Sequence, residues 1–413
     1  MKNLKGACIF GQSGGPTSVI NASAAGVFLE ALEHEEITDI YGAEHGIRGI
    51  LEEKFFDMRK EDVQELLYLK NTPSSALGSV RYKLKDVTVD DTDYKRILEV
   101  FKKYNIRYFF YNGGNDSMDT CNKISKYLES VGYECNVIGV PKTIDNDLAT
   151  TDHCPGYGSA AKYVATTMME VYKDMNVYDT GLIAVVEIMG RNAGWLTAAS
   201  ELANIYGCGP DLIYVPEVDF DVDKFVSDVK KVADKNHGHA LVAVSEGIHD
   251  KNGKLIAELF SNAARDSFGH AQLGGLAAVL GNVLKEKLGI KVRPIEFSLM
   301  QRCASHCASG RDVEEAFNAG RYAVKYAVQG ETDKMVVFDR VKQDYEIEYK
   351  LLDVALAANA EKKIPREWIN KEGNGINKQF VDYALPLIQG EIKFPTENSL
   401  PRFARLKKVY AKK

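Results

Sequence analysis

The chain has 413 residues, of which 45% are hydrophobic and 27% are charged. This composition is that of an ordinary globular protein and excludes fibrous and disordered classes. One hydrophobic core rarely serves more than about 300 residues, so the length predicts two domains. The net charge of −6 argues against a nucleic-acid binder, which normally carries a basic domain or stripe.

The apolar segments predict neither a signal peptide nor a membrane helix. The first apolar run breaks at Gln12, and no segment approaches the roughly 20 apolar residues that a membrane span needs. The seven cysteines are scattered and odd in number, which favours reduced thiols over a disulfide framework. The cluster of Cys303, His306 and Cys307 is interpreted as packing, because a structural zinc site needs a second matching pair. We therefore expect a cytoplasmic protein with no membrane or nucleic-acid partner.

Short apolar strands alternate with helical segments along most of the chain. Polar or glycine-containing residues follow each strand, and a longer segment of helical period comes next. The predicted strands cover residues 7–10, 107–111, 137–140, 183–188, 212–215 and 240–244. This alternation predicts parallel sheets covered by helices on both faces, with ligands bound at the carboxyl ends of the strands.

The predicted fold class is α/β, with two doubly wound βαβ domains and a cleft between them. Residues 154–158 are the favoured crossing point between the domains. The first domain is predicted to span residues 1–158 with part of 301–345, and the second to span residues 159–300. The strand–helix rhythm weakens beyond residue 345, so residues 346–413 are predicted to form a C-terminal extension that packs on both domains.

Two glycine-rich turns follow predicted strands that look like neighbours in one sheet. Gly14 and Gly15 come after the first strand and before a helix that is predicted to begin near Ser18. Residues 113–117 (Gly-Gly-Asn-Asp-Ser) follow the second strand and open another helix, which Ser117 could cap. Glycines let the backbone approach a phosphate, and the amides of a helix N-terminus point at it. The pair of turns therefore predicts a shared anion site.

A third turn carries a denser set of charged groups. Residues 141–147 (Pro-Lys-Thr-Ile-Asp-Asn-Asp) place Lys142, Asp145 and Asp147 directly after a strand. Phosphoryl transfer to a sugar hydroxyl needs a carboxylate that accepts the hydroxyl proton, oxygen ligands for Mg²⁺ and a cation that offsets charge. A salt-bridged surface turn is the alternative interpretation. The two companion turns favour the chemical one.

Seven short motifs carry a resemblance to a known family. In chain order they are Ser13-Gly14-Gly15, Leu77-Gly78-Ser79-Val80-Arg81, Gly113-Gly114-Asn115-Asp116-Ser117, Pro141-Lys142-Thr143-Ile144-Asp145-Asn146-Asp147, Met189-Gly190-Arg191, Ser245-Glu246-Gly247 and Gln301-Arg302. In this order they resemble the motifs of phosphofructokinases, over roughly residues 6 to 325. The resemblance implies transfer to the C1 hydroxyl of fructose 6-phosphate, with the donor site mainly on the first domain and the acceptor site mainly on the second.

The resemblance also implies a role for each matching residue. Asp145 matches the base that activates the sugar hydroxyl, and Arg191, together with Lys142, is expected to steady the developing charge. Asp147 and Asn115 are the expected Mg²⁺ ligands. The expected donor-binding residues are Gly14, Gly15, Arg81, Gly114, Asn115, Asp116, Ser117 and Lys142. The expected sugar-phosphate-binding residues are Thr143, Asp145, Met189, Gly190, Arg191, Glu246, Arg293 and Arg302.

Two positions bear on the identity of the donor. ATP-dependent bacterial relatives have glycine where this chain has Asp116 and Lys142, whereas pyrophosphate-dependent members resemble this chain at both. An aspartate would occupy the space of a nucleotide α-phosphate and repel it. Asp116 is the stronger argument, because some ATP-using relatives also carry the lysine. The resemblance thus implies pyrophosphate as the donor; the alternatives are an ATP-dependent enzyme of the same fold and a catalytically silent subunit that binds sugar phosphate.

Three residues depart from the pattern of the family. Asn115 stands where many relatives have an aspartate near Mg²⁺, so a neutral carbonyl is left as the ligand. Leu182 replaces an arginine that reaches the sugar phosphate of a neighbouring subunit, and Leu299 replaces a histidine at the sugar. Recognition of the sugar phosphate is therefore expected to be rearranged. A homodimer or homotetramer is still expected, because active sites of the family borrow basic residues across subunits.

Overall fold

The computed structural model describes residues 4–259, 275–342, 345–358 and 360–412. The strands in these ranges are β1 (Gly6–Gln12), β2 (Ile37–Ala43), β3 (Phe55–Asp57), β4 (Ile106–Gly113), β5 (Asn136–Pro141), β6 (Leu182–Ile188), β7 (Leu212–Tyr214), β8 (Ala240–Ser245), β9 (Lys291–Glu296), β10 (Lys334–Lys342), β11 (Glu346–Asp353), β12 (Thr396–Glu397) and β13 (Leu400–Pro401).

The α-helices of the same ranges cover both sheets, and short 3₁₀ turns join several of them. They are α1 (Ile20–Leu32), α2 (Ile47–Glu52), α3 (Val63–Tyr68), α4 (Thr92–Lys103), α5 (Asn115–Ser130), α6 (Tyr157–Met175), α7 (Trp195–Ala198), α8 (Val222–Lys235), α9 (Ile256–Leu259), α10 (Leu276–Leu288), α11 (Gly310–Val328), α12 (Val354–Ala357) and α13 (Lys378–Ala384). None of these described helices is long and apolar enough to cross a membrane.

The larger sheet, as far as the structure describes it, has seven strands in the order β11-β10-β5-β4-β1-β2-β3. Its central strands are parallel, whereas β3 and β11 run antiparallel at the two edges. Every residue of β1 and β5 is buried, because α4 and α5 cover one face of the sheet and α1 and α11 cover the other. These strands contain the predicted segments 7–10 and 137–140, and β4 contains the segment 107–111.

The smaller sheet has the order β7-β8-β6-β9 among the described residues, and all of its pairings are parallel. The predicted segments 183–188 and 240–244 lie within β6 and β8, and the segment 212–215 overlaps β7. Helix α6 packs on one face of this sheet, and α8 and α10 pack on the other. A largely parallel sheet and a fully parallel one, each with helices on both faces, confirm the α/β fold class.

The C-terminal extension begins inside the larger sheet rather than on its surface. Strand β11 pairs along its length with β10, so residues 346–353 belong to the sheet. Farther along the extension, Trp368, Phe380 and Tyr383 surround the ring of Trp195, with ring centroids 6.0, 6.3 and 5.3 Å away. The extension is therefore part of the packed core at α7, beside the smaller sheet.

Helices α1 and α11 approach each other closely through two glycines. A Cβ atom placed at Gly26 would lie 2.0 Å from the carbonyl oxygen of Phe317, and one at Gly320 would lie 2.1 Å from that of Ser23. Real contacts are never this short, so any larger residue would force the two backbones apart. The close approach holds one helical layer of the larger sheet in place.

We predict that Gly26→Ala lowers the free energy of unfolding by about 2 kcal/mol, because overpacking here must move backbone rather than a flexible side chain. Chemical denaturation of the variant and the wild type measures the difference. Gly281→Ala in α10 is the matched control, since its Cβ would lie an ordinary 3.4 Å from the side chain of Val292. That control should be neutral or stabilising by up to about 1 kcal/mol, as alanine favours helix over glycine. Equal effects of the two substitutions would refute the packing argument.

Candidate active site

The turns after β1, β4 and β5 meet at one edge of the larger sheet, because parallel neighbours end side by side. The turns after β6 and β8 of the smaller sheet face them. Between the two sets lies a cleft of about 420 Å³. It is lined by Ser13, Gly14, Gly15, Arg81, Tyr82, Gly114, Asn115, Asp116, Ser117, Lys142, Thr143, Asp145, Asp147, Arg191, Asn192, Ala193, Glu246 and Glu361.

Lys142 joins two of these turns. Its Nζ atom donates a hydrogen bond of 2.6 Å to the carbonyl oxygen of Gly15, so the turn after β5 is tied to the turn after β1. The side chain is buried, and burial lowers the pKa of its ammonium group to about 8 although Asp145 and Asp147 act in the opposite direction. Ser79 steadies the same region by donating to the carbonyl oxygen of Gly14 at 2.7 Å. A buried cation thus lies where the turns after β1 and β5 meet.

Helix α5 opens directly from the turn after β4. Gly114 occupies the N-cap position and Asn115 is the first helical residue, so the cap is not Ser117. Asp116 lies in the first helical turn, where its side chain is exposed and lines the cleft. The negative charge of Asp116 therefore stands at the mouth of the site, next to the amides of the helix N-terminus.

Asp145 carries a half-buried carboxyl group in the turn after β5. Its backbone amide donates to the Oγ1 atom of Thr143 at 3.1 Å. The next residue, Asn146, is fully buried, donates to the hydroxyl of Tyr383 at 2.8 Å and accepts from the amide of Cys154 at 3.0 Å. Burial raises the pKa of Asp145 to about 7, with the charges of Asp147 and Glu246 adding to the effect. A carboxyl group that titrates near neutrality can accept a proton at physiological pH.

Asp147 and Asn115 present a pair of free oxygen atoms. The Nδ2 atom of Asn115 donates to Oδ2 of Asp147 at 3.1 Å, whereas the Oδ1 atoms of both residues are buried without a hydrogen-bond partner in the described part of the chain. Burial is the main cause that raises the pKa of Asp147. Unpaired buried oxygens suit a hard cation such as Mg²⁺. Because the described residues contain no group of three or more His, Cys, Asp or Glu side chains able to hold a metal, such an ion would need oxygens from a ligand.

On the opposite wall, the turns after β6 and β8 interlock. The amide of Gly190 donates to Oε1 of Glu246 at 3.3 Å, and Ser245 donates to the carbonyl oxygen of Gly190 at 2.5 Å. A Cβ atom at Gly247 would lie 1.8 Å from the carbonyl oxygen of Arg191, so only glycine permits this approach. Burial raises the pKa of Glu246, and Arg191 works against that shift. The arrangement brings a guanidinium and a carboxyl group to one wall.

Two further predicted residues lie beside the cleft. The amide of Met189 donates to Oε1 of Gln301 at 3.1 Å, which ties the turn after β6 to the segment that carries Arg302. A Cβ atom at Gly15 would lie 3.0 Å from Nη1 of Arg302, so the guanidinium group reaches the turn after β1. Burial lowers the pKa of Arg302, with the nearby charge of Arg81 contributing. Two guanidinium groups from distant parts of the chain, Arg81 and Arg302, therefore lie near the turn after β1.

Arg293 is the predicted site residue that lies elsewhere. It belongs to β9 and lines a separate hollow of about 270 Å³ that also contains Leu182. Its side chain is 52% exposed, and its Nη1 atom lies 3.7 Å from a carboxylate oxygen of Asp174. Strand β9 forms the edge of the smaller sheet, so Arg293 points away from the cleft of its own chain. Leu299, the other departure noted at the sugar, is also 52% exposed.

Some lining residues were not predicted from the sequence. Ser13 belongs to a quoted motif but was not named as a site residue, and Tyr82, Asn192 and Ala193 lie one or two positions beyond a motif, so extending each motif by two positions would have found them. Glu361 comes from the C-terminal extension, where no motif marks it. Its Oε1 atom accepts a hydrogen bond of 2.7 Å from Nδ2 of Asn192. The extension therefore supplies part of the cleft wall.

Two largely parallel sheets whose strand ends enclose cations and carboxyl groups place the chain among α/β proteins with a cleft for small molecules between two sheets. Comparison with known proteins narrows this class. The family model described as Phosphofructokinase matches residues 8–295. The chain belongs to the phosphofructokinase family.

Individual relatives extend the similarity beyond that range. A pyrophosphate–fructose 6-phosphate 1-phosphotransferase from Halomonas elongata is 42% identical over 404 residues, which cover 97% of this chain and 96% of that protein. A protein of the same name from Xanthomonas campestris pv. campestris is 43% identical over 413 residues, with 98% and 97% covered. The crystal structure of a pyrophosphate-dependent phosphofructokinase from Marinobacter aquaeolei matches with a TM-score of 0.88 and 37% identity, covering 99% of this chain and 98% of that one. The likeness therefore includes the C-terminal extension.

The raised pKa of Asp145 predicts a pH-dependent cost to folding. The carboxyl group has a pKa of about 7 in the folded protein and about 4 when unfolded, so its cost is absent below pH 4, grows between pH 4 and 7 and is complete above pH 7. We predict that Asp145→Asn stabilises the ligand-free protein more at pH 8 than at pH 4.5, as measured by denaturant unfolding.

Asp90→Asn provides a control of opposite sign. A hydrogen bond from Lys85 holds the pKa of the exposed Asp90 below its usual value, so this carboxylate adds stability above pH 4 that is lost in acid. The control variant should therefore lose stability, relative to the wild type, as the pH rises. If Asp145→Asn follows the same trend as the control, the burial argument for Asp145 is wrong.

Proposed function

We propose that this chain transfers a phosphoryl group from pyrophosphate to the C1 hydroxyl of fructose 6-phosphate, yielding fructose 1,6-bisphosphate and phosphate. The observation that carries the proposal is that Asp116 and Lys142 both line the cleft. The names of the relatives from Halomonas elongata and Xanthomonas campestris support the same activity. Resemblance to the pyrophosphate-using members of the family also implies a near-reversible reaction, which would serve glycolysis or gluconeogenesis.

The donor preference follows from the charge and size of Asp116. At about 4 Å, two like charges repel by roughly 1 kcal/mol in water and by roughly 4 kcal/mol at an effective dielectric constant of 20. A nucleotide would have to place its α-phosphate against this carboxylate, whereas pyrophosphate ends before it. Lys142 offers a compact ammonium charge that suits a small anion without other anchors. Gly14, Gly15, Arg81, Gly114, Asn115 and Ser117 complete the proposed donor site.

Asp145 acts as the general base of the proposed reaction. It accepts the proton of the C1 hydroxyl while that oxygen attacks the transferring phosphorus atom. Its pKa of about 7 matches this task near neutral pH. Arg191 and Lys142 offset the negative charge that builds up on the transferring group. With a pKa of about 8, Lys142 keeps most of its charge at pH 7.

Mg²⁺ is the proposed cofactor, held by Asp147 and Asn115. Their unpaired buried oxygen atoms fit the ion, and the remaining ligands would be phosphate oxygens and water. When bound, the ion screens the charge of the donor phosphates. Asp145 is not among the proposed metal ligands, so its carboxylate is left to interact with the sugar hydroxyl.

The acceptor site is proposed on the smaller sheet. Thr143, Met189, Gly190, Glu246 and Arg302 would orient fructose 6-phosphate, with Glu246 accepting hydrogen bonds from the sugar hydroxyls. Arg293 lies on an exposed edge strand, so it would serve the cleft of a second copy of the chain in a homodimer or homotetramer.

The domain boundaries are proposed along the same lines. Residues 1–158 with part of 301–345 would form the donor unit, and residues 159–300 would form the acceptor unit. Closing the two units around the substrates excludes water, which would otherwise hydrolyse pyrophosphate.

The donor is tested directly with the purified full-length chain, fructose 6-phosphate and Mg²⁺. We predict that pyrophosphate supports formation of fructose 1,6-bisphosphate and that kcat/KM for ATP is lower by about a hundredfold, which corresponds to roughly 3 kcal/mol. A coupled aldolase assay measures the product with either donor. Equal use of ATP would support the ATP-dependent alternative, and no turnover with either donor would support a silent regulatory subunit.

The role of Asp116 is tested by Asp116→Gly. We predict that kcat/KM for ATP rises by about 10- to 100-fold, because a repulsion of roughly 1–3 kcal/mol and the steric block are both removed. Asp119→Gly, one helical turn farther along α5, is the matched control: Asp119 pairs with Lys123 and does not line the cleft. Should both variants keep the donor preference of the wild type, Asp116 does not select the donor.

A further inference from the structure

We propose that Glu361, carried by the C-terminal extension, is a positioning residue of the Mg²⁺ site and supplies the negative charge that Asn115 does not. The inference rests on the proposed function, since it assigns a residue to the metal of that reaction. Asn115 contributes a neutral oxygen and Asp147 contributes one carboxylate. Mg²⁺ in phosphoryl-transfer sites is bound through one or two carboxylates together with phosphate oxygens and water. A second carboxylate nearby would therefore strengthen the site.

The backbone brings Glu361 to the metal side of the cleft. Residues 361–362 run antiparallel to the end of the turn after β5 (residues 141–147), with a β-bridge between Leu148 and Glu361. The amide of Lys362 donates to the carbonyl oxygen of Asp147 at 2.7 Å. Glu361 is thus fixed one residue from a backbone contact with the metal-binding aspartate, and its side chain lines the same cleft as Asp147 and Asn115.

Lys362 anchors this short segment firmly. Its Nζ atom donates to the carbonyl oxygens of Thr151 at 3.2 Å and Asp152 at 2.5 Å, and it lies 5.0 Å from the ring centroid of Trp195. The carbonyl oxygen of Lys362 accepts from Nε1 of Trp195 at 2.8 Å. These contacts hold the backbone on both sides of the cleft, so the position of Glu361 does not depend on a flexible tail.

Two buried oxygen atoms point to a bound cation, which a group of acidic residues alone would not. Oδ1 of Asp147 and Oδ1 of Asn115 are buried, and neither has a hydrogen-bond partner among the described residues. An ion bound there keeps several of its waters, as Mg²⁺ usually does. Glu361 is placed to accept hydrogen bonds from such waters, while its Oε1 atom also accepts from Asn192. Outer-shell carboxylates of this kind orient ligands and raise metal affinity.

A purely structural role for Glu361 makes a different prediction. In that case Glu361 would act only through the 2.7 Å hydrogen bond that it accepts from Asn192, the neighbour of Arg191. Glu361→Gln separates the two roles, because the amide oxygen can still accept from Asn192 while the negative charge is lost. Asn192→Ala does the reverse, since it removes the hydrogen bond and leaves the charge.

The experiment measures Mn²⁺, as a spectroscopic substitute for Mg²⁺, binding to the full-length protein with the non-hydrolysable donor analogue methylenediphosphonate. Electron paramagnetic resonance gives the free Mn²⁺ concentration and hence the Kd. We expect Glu361→Gln to raise this Kd by about tenfold, and Asn192→Ala to leave it near the wild-type value. Glu367→Gln, at an exposed residue of the extension outside the cleft, is the matched control and should not change it.

A compensating substitution keeps the test decisive if Glu361→Gln folds poorly. Asn115→Asp adds the carboxylate that many family members carry, so it should lower the Kd for Mn²⁺ in the wild-type background and restore it in the double variant with Glu361→Gln. An unchanged Kd in a folded Glu361→Gln variant, or a Kd raised equally by Asn192→Ala, overturns the role of Glu361. Absence of Mn²⁺ binding in the wild type instead overturns the proposed metal site as a whole, whereas absence of product from pyrophosphate and fructose 6-phosphate in the aldolase-coupled assay would locate the failure in the proposed function.

Discussion

The hydrogen bond from Lys142 to the carbonyl oxygen of Gly15 holds the site together. It joins two turns that are more than 120 residues apart in the chain, and it does so with a cation that is buried away from water. A buried ammonium is costly unless anions surround it, so the cleft is poised to receive a compact anion. Burial likewise disfavours the negative charges of the carboxyl groups of Asp145 and Asp147. Binding of the anionic donor beside Lys142 and of a metal ion beside Asp147 would offset these two costs of burial.

Much of this arrangement can be predicted from the sequence, because adjacent strands of a parallel sheet bring the turns that follow them to the same edge. Strands β1, β4 and β5 are continuous apolar segments, and the polar turns behind them must end at the same edge. That single rule brings Gly14, Asn115 and Asp145 together without any knowledge of side-chain positions. Strand β9, which the sequence did not predict, shows a limit of this rule. Strand β9 contains Pro294 and charged residues and is largely exposed, so it lacks the apolar pattern of a buried strand.

What the sequence did not predict concerns residues whose position depends on tertiary contacts. Arg293 falls on an edge strand facing away from the cleft, and which edge β9 occupies is a matter of strand order. Glu361 reaches the cleft only because Lys362 is anchored between Asp152 and Trp195. Neither fact leaves a local signal. The start of α5 also differs from the expectation for Ser117, because glycine at the N-cap position leaves no side-chain signature.

The extension has a mechanical consequence for the cleft. Its backbone is hydrogen-bonded to the turn after β5, where the amide of Lys362 donates to the carbonyl oxygen of Asp147. It is also hydrogen-bonded to the smaller sheet, where the amide of Ile213 donates to the carbonyl oxygen of Asn374 at 3.0 Å. A segment fastened to both walls must bend whenever they separate. Any separation of the two walls would therefore deform residues 362–374, which connect the two points of attachment.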